Sequence, residues 1–458
     1  MAVPRRRAAW AAWLAIVFVV YQLGLPHDRY LAVDAAFDRG GPTPGAIETA
    51  RAYLTNDGDA RRYFAYCNAL LGRPYESYYV RSIAAWRDAF AAHENRQPEE
   101  LPVVGDGRLM PYRDFLVEYP PAFFAFALPP ALVAHDLYEY LVAFGLVMAA
   151  CLTAALALCL RAARAFAGDV EARVVAWSAA AALGLGVVTT HRFDAAVSLA
   201  TCACLWAAVT RRHALLGAFA AIAIATKLVP ALFVPIWLLP LARERRWRDV
   251  AIAAGAGALV LAALVVPALA FAGDHAVEIV RYHADRPLQV ESLWAGLLGL
   301  GRALGATSLD AAWSYGSRNV SGPLVGVAGA AANLAMVGGA LAVYVATWRR
   351  LGRASDDAAR ARVALAGACA VAAIAIACGK VTSPQYLVWL VPIGVLASIV
   401  DGRRRCIALL VAAMVATQLV YPIAYGATAN LAWWTCALVV ARGVALIAWA
   451  IELLRGPS

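Results

Sequence analysis

The chain has 458 residues, 62% of them hydrophobic and only 15% charged, with a formal net charge of +10. So much apolar side chain excludes a water-soluble enzyme and points to α-helices that cross a bilayer. The positive charge does not signal nucleic-acid binding. It sits in short arginine turns between apolar runs (Arg5-Arg6-Arg7, Arg211-Arg212, Arg243 to Arg248, Arg349-Arg350 and Arg403-Arg404-Arg405), the pattern that marks the inner side of a polytopic protein beside anionic membrane lipids.

In chain order, a basic start and an apolar run from Ala8 to Gly24 predict an uncleaved first span. The run is long for a signal peptide, and no A-x-A site follows it closely. A polar, aromatic-rich outer loop over 25–119 comes next. Between His27 and Tyr119 it holds 14 of the chain's 30 acidic residues, and short amphipathic helices are expected within it. Pro120-Pro121 suits the first turn of a helix, where a missing N–H costs nothing. The runs 120–134 and 138–160 are both apolar, yet only one net crossing fits between the loop and Arg161. One of the pair is therefore expected to be short or re-entrant and buried against protein. Spans follow at 174–190 and 194–210, then a hairpin of two short runs, 214–226 and 229–241, with Lys227 at its outer tip. The run 250–272 leads to a second outer region, 273–321, in which 291–304 reads as re-entrant. Further runs at 322–347, 361–379, 384–400, 406–424 and 432–453 bring the total to about twelve crossings in one membrane domain over 1–458. The nine cysteines are scattered. Only Cys67 lies in the long loop, the rest behave as small hydrophobes in helices, and no C-x-x-C spacing suggests a metal.

This count puts the chemistry on one side. The chain has 38 arginines and two lysines, and both lysines, Lys227 and Lys380, fall at outer ends of spans. Arg192, Asp194 and the run Arg281-Tyr282-His283-Ala284-Asp285-Arg286-Pro287 fall there too. A charge at membrane depth is costly and commonly marks a site, although any one of these could simply snorkel to the interface. Several cations at the outer boundary suit a phosphate whose lipid tail lies between helices, arginine as a bidentate donor and lysine as a point charge. The long loop supplies acids: Asp57 and Asp59 before a helical-looking run, Asp114, and Glu118 beside Tyr119 at the mouth of the next apolar segment. An aspartate there can act as general base on an incoming hydroxyl, and it can equally cap a helix or stay solvated.

These residues resemble glycosyltransferase family 87 of the GT-C superfamily, membrane enzymes that include polyprenyl-phosphate-mannose-dependent mannosyltransferases of actinobacteria. The likeness rests on Asp59 with the Leu70-Leu71-Gly72-Arg73-Pro74-Tyr75 turn, on Tyr119-Pro120-Pro121, and on Gly217 with Lys227 and Pro230. It rests also on Tyr282 to Ser292 and on the run from Lys380 to Pro392. The resemblance implies an all-α GT-C fold and an inverting hexosyl transfer, with mannose or another sugar such as arabinose carried on polyprenyl phosphate. The acceptor would be a lipid or glycan, and no cofactor or metal is implied. It makes Asp59 the catalytic base, with Asp57 as the alternative, and His283 a possible aid to proton transfer. Lys227, Lys380, Arg192 and Arg286 become donor-phosphate ligands, and the motif residues Tyr63, Glu118, Tyr119, Gln289, Gln385 and Tyr386 become substrate contacts. One departure stands out: the family often has Asp-x-x-Tyr in the first loop, whereas Tyr63 follows Asp59 by four. The implied location is the plasma membrane with the site facing outward. The arginine-rich, lysine-poor composition fits a GC-rich bacterium such as an actinobacterium. A flippase for lipid-linked glycans would also need buried polar groups, but it would be expected to carry paired repeats and helices broken near the midplane, and neither is legible.

Overall fold

The computed structural model describes residues 2–25, 58–76, 79–82, 104–105 and 107–455. In hydrocarbon a single segment can satisfy its backbone only as a helix, and the apolar runs all take that form. After α1 (Ala2–Leu23) and the loop helix α2 (Gly58–Leu71) come α3 (Pro121–Val133), α4 (Leu137–Ala163), α5 (Glu171–Thr189), α6 (Asp194–Val209), α7 (His213–Thr226), α8 (Pro230–Arg243) and α9 (Trp247–His275). Next are α10 (Glu278–Asp285), α11 (Leu293–Ala303), α12 (Val325–Leu351), α13 (Asp357–Cys378), α14 (Pro384–Val400), α15 (Arg404–Ile423) and α16 (Trp433–Leu454). Among the described residues, seven helices are long and apolar enough to cross a membrane, against about twelve expected crossings. The difference falls on α1, whose 22 residues carry three arginines near their start, and on four segments shorter than 18 residues, α6, α7, α8 and α14. Proline explains much of the shortness, since 3-10 turns open at Pro121, run through Pro235 and open again at Pro384.

Helix α13 forms the centre. From Ala364 to Cys378 every residue is buried, and the stretch is mostly Ala, with Gly, Cys and Ile. Such a sequence has no polar face to show because no face meets solvent. Small side chains let neighbouring backbones close in, which drives helix association where lipid is as apolar as the core. The same device operates between α7 and α9: a Cβ on Gly217 would lie 1.8 Å from the carbonyl oxygen of Ala253. Helices α9 and α12, by contrast, leave Leu259, Val266, Val327 and Leu334 more than half exposed. An apolar face of that size needs a lipid surround. The chain is an all-α, multi-pass membrane protein.

Two ends of the bundle differ in chemistry. At one end the arginine turns pair with acids or carbonyls: Arg6 with Asp169 (2.8 Å), Arg211 with Asp357, Arg360 with Glu244 (3.0 Å), and Arg362 with the Phe166 carbonyl (3.0 Å). Helix α6 runs from Asp194 at the other end to just short of Arg211. Its 16 residues span about 24 Å. The other end gathers α2, α10, α11 and a hairpin of β3 (Asp310–Ser314) and β4 (Ser317–Ser321). A separate two-residue pair, β1 (Tyr75–Glu76) with β2 (Val104–Gly105), lies in the first loop. The β3–β4 loop is Tyr315-Gly316, with φ of +50° and +67°. A two-residue hairpin loop of this kind needs positive φ at both positions, which Gly316 meets freely and Tyr315 at a cost. A Cβ on Gly316 would also meet an Arg62 guanidinium nitrogen at 2.8 Å.

Candidate active site

Asp59 lies in the first turn of α2, and its Oδ2 is 3.1 Å from Nε of Arg192. Arg192 precedes α6 and is nearly buried. It also donates from Nη1 to the His191 carbonyl (3.1 Å) and from Nη2 to the Tyr421 hydroxyl (3.4 Å). Two residues on, Asp194 is fully buried. Its Oδ1 accepts from Lys227 Nζ (2.7 Å) and from Trp389 Nε1 (2.6 Å). Lys227 follows the last turn of α7, where the chain becomes extended. Its ammonium lies 4.7 Å from the ring centre of Phe193, 4.5 Å from Tyr386 and 5.3 Å from Trp389. This aromatic cage partly replaces lost hydration, each such contact being worth about 0.5–2 kcal/mol. Tyr63, one helical turn after Asp59, is buried among Tyr119, Phe123, Phe144 and Phe193. That packing fixes the α2 face that carries Asp59.

Glu118 forms the second wall. It is buried, with Oε1 against Arg62 and Oε2 against the Tyr282 hydroxyl, and its backbone carbonyl lies 3.1 Å from His283 Nε2. The Tyr282 hydroxyl also lies 2.8 Å from the Tyr315 carbonyl, so the hairpin tip, α10 and α2 gather around one carboxylate. Burial alone would raise the Glu118 pKa, but Arg62, and Arg286 after it, push it down to about 2. Its stabilising charge is therefore complete above the ordinary carboxyl value of 4.5 and is lost as pH falls toward 2. Glu118→Gln leaves Arg62 buried without its counter-charge. It should cost about 3–5 kcal/mol, read as a large fall in Tm, and pairing it with Arg62→Met should recover much of the loss. A small change in Tm for the single variant would contradict this account.

The remaining predicted residues occupy the same end. Arg286 donates from Nη2 to Ser317 Oγ (3.0 Å). His283 is held below its usual pKa by burial first and then by Arg286, with Lys227 acting in the same direction. Gln289 is buried, its side-chain oxygen accepting from the Thr382 N–H (3.1 Å) and its own N–H donating to the Lys380 carbonyl (3.0 Å). Lys380 Nζ donates to the Ala284 carbonyl at 2.8 Å, on the α10 side of the site. Gln385 and Tyr386 are half-buried at the start of α14, Tyr386 stacked on Trp389 at 4.8 Å. Asp57 lies outside the described residues. Two features escaped sequence reasoning. One is the pairing of Asp194 with Lys227. The other is Arg442, buried within the apolar α16, whose Nη2 donates to the Glu291 carbonyl. Burial pushes the Glu291 carboxyl up to about 7, against the pull of Arg442, Arg286 and Arg192. A lone arginine inside an apolar run was the available signal, because such a charge needs a partner.

The model of glycosyltransferase family 87 matches residues 115–378, more than half of the chain. The chain belongs to glycosyltransferase family 87. Among solved structures it is similar to ArnT from Cupriavidus metallidurans bound to undecaprenyl phosphate. The identity is 15% and the TM-score 0.45, with 99% of this chain and 77% of that one covered. No match was found among curated proteins. The region matched in this family 87 glycosyltransferase takes in Glu118, Arg192, Asp194, Lys227, His283, Arg286 and Glu291. Asp59 and Tyr63 lie before it, and Lys380, Gln385 and Tyr386 after it.

Proposed function

We propose that this glycosyltransferase moves a hexose, with mannose the first candidate, from a polyprenyl-phosphate carrier to a hydroxyl of a lipid or glycan acceptor. The reaction would take place on the outer face of a bacterial plasma membrane and invert the anomeric centre. The observation that carries this reading is the meeting of the Asp59 carboxylate with Arg192, two residues from the Asp194–Lys227 pair. In the reaction Asp59 takes the proton of the acceptor hydroxyl. The acceptor oxygen bonds to C1 of the sugar, and the C1–O bond to phosphate breaks with its electron pair going to the carrier phosphate. Lys227, Arg192 and Arg286 stabilise the charge that develops there, with Lys380 placed to assist from the α10 side. Arg192 has a double part in this account. It holds Asp59 in the resting protein, and an arriving phosphate competes for its guanidinium and frees the carboxylate as base. Glu118 has both oxygens engaged by Arg62 and Tyr282, so we assign it to positioning rather than to substrate. Tyr63 is enclosed by rings, and we assign it likewise. The outward location is supported by the arginine turns, which lie at the other end of the bundle and by their charge belong inside.

The test is transfer by purified protein from a panel of polyprenyl-phosphate sugars, including mannose and arabinose, with mass analysis of the product and determination of its anomeric configuration. A β-linked donor should give an α-linked product. Retention of configuration, or no transfer from any such donor in the presence of membrane acceptors, would overturn the reading.

A further inference from the structure

The segment between α10 and α11 carries a carboxylate that neither the transfer step nor the packing accounts for. Glu291 is 1% exposed, and its Oε2 has no partner among the described residues. Arg442, on α16, is equally buried. Its Nη2 is spent on the Glu291 carbonyl, while Nη1 has no partner among the described residues. The guanidinium is thus turned to the backbone of Glu291, and an acceptor and a donor of opposite charge stay unmet. Each such buried atom costs about 1–3 kcal/mol, and more when charged. The backbone is not free to drift and relieve that cost. Gln289 N–H donates to the Lys380 carbonyl (3.0 Å), Val290 N–H to the Arg318 carbonyl (3.0 Å) and Ser292 N–H to the Gln289 carbonyl (2.9 Å). Ser292 Oγ then caps α11 by accepting from the Ala295 N–H (3.1 Å). Glu291 is held between fixed neighbours, so its carboxyl is pre-positioned.

The electrostatics turn this carboxylate toward the site. Burial opposes its charge, Arg442, Arg286 and Arg192 support it, and Asp59 opposes it. Two of these arginines are the cations assigned above to the carrier phosphate. The phosphate itself does not suit Glu291, because a phosphodiester offers acceptors only and repels a carboxylate. A sugar hydroxyl does suit it. Hydroxyls donate as well as accept, so one of them, or two neighbours, can give a proton to Oε2 and receive one from Nη1. The C1 atom of the sugar is bonded to the phosphate oxygen, which brings the ring hydroxyls close to whatever cations hold the phosphate. We propose that Glu291 determines sugar specificity by receiving a hydroxyl of the donor sugar, with Arg442 meeting the same hydroxyl or its neighbour. This inference rests on the donor reading above.

Purified full-length protein would be titrated, without acceptor, with polyprenyl phosphate and with polyprenyl-phosphate mannose (or arabinose, should the sugar panel favour it). Glu291→Gln keeps the backbone carbonyl that Arg442 holds. It should leave affinity for the bare carrier unchanged and weaken the sugar-loaded carrier about 10–100-fold, the loss expected for a charge-assisted hydrogen bond. Singly deoxygenated sugars complete a double-mutant cycle. Removing one particular hydroxyl should cost the wild type a similar factor and cost Glu291→Gln little more. Glu291→Asp withdraws the charge by one methylene and gives the same comparison should Glu291→Gln fail to fold. Equal losses for bare and loaded carrier would make Glu291 a structural residue and overturn the proposal. Wild-type affinity for both forms in the folded variants would overturn it too, and a raised KM for the acceptor would then give the carboxylate to the acceptor hydroxyl. In either case carrier binding by the wild type leaves the donor reading standing. A wild type that binds neither form would overturn that reading and this inference with it.

Discussion

Replacing Asp59 by Asn is expected to lower the rate of sugar transfer by about 10²–10⁴-fold, the usual contribution of a positioned general base, while donor affinity stays the same or rises. Asparagine keeps the shape of the side chain beside Arg192, so α2 keeps its start. The Asp59 side chain is about a quarter exposed, and Arg192 retains its bonds to the His191 carbonyl and the Tyr421 hydroxyl. The loss of stability should therefore be small, on the order of 1 kcal/mol. The direction of the donor effect is the informative part. If Arg192 divides its guanidinium between Asp59 and the incoming phosphate, removing the carboxylate's charge releases the cation and the donor binds more tightly as chemistry slows. A merely structural Asp59 would lose both together. Asp57→Asn provides the comparison. Loss of transfer there with full activity in Asp59→Asn would move the base by two residues, and full activity in both would remove a loop aspartate from the mechanism.

What could be read from the sequence was governed by how local its cause is. The turn at Lys227 was legible because a lysine between two short apolar runs has one inexpensive place, the end of a helix. The arginine turns gave the other end for the same reason. Crossing numbers were harder. Runs broken by Pro121, Pro235 and Pro384 become short helices with 3-10 turns, and hydropathy alone does not say whether such a piece crosses. The candidate site was legible as a set of residue types at one end of the bundle, but not as a set of partners. Asp194 and Lys227 are 33 residues apart, and their bond exists only because α6 and α7 pack side by side. Glu118 looked like a substrate residue beside a proline pair, whereas Arg62 and Tyr282, 56 and 164 residues away, enclose it. The β3–β4 hairpin lay within a region read as an outer loop. Its turn, Tyr315-Gly316, carries a glycine signal, but too few strand-forming residues flank it for pairing to be inferred.

Lys227 tests whether this site grips the donor. Its ammonium gives one contact to a fully buried Asp194 and sits among three rings, so Lys227→Met should destabilise the protein strongly, by about 3–5 kcal/mol, by leaving an unpaired buried carboxylate. Weak donor binding in that variant alone would be ambiguous, since a distorted site binds poorly whatever Lys227 does. The companion is Lys227→Met with Asp194→Asn. The pair removes both charges, and the amide oxygen can still accept from Trp389 Nε1, so most of the lost Tm should return. The two accounts then separate. An ammonium has three donors and Asp194 uses one, which leaves Lys227 able to meet a phosphate oxygen from within its cage. On that account the double variant folds normally yet binds polyprenyl phosphate about 10–100-fold more weakly, the range expected when a charge-assisted hydrogen bond of about 1.5–3 kcal/mol is removed. If Lys227 serves only to neutralise Asp194, the double variant regains donor affinity along with stability. Direct binding measured on the refolded-stability pair decides between a cation that holds the carrier's headgroup and one that only pins α7 to α6.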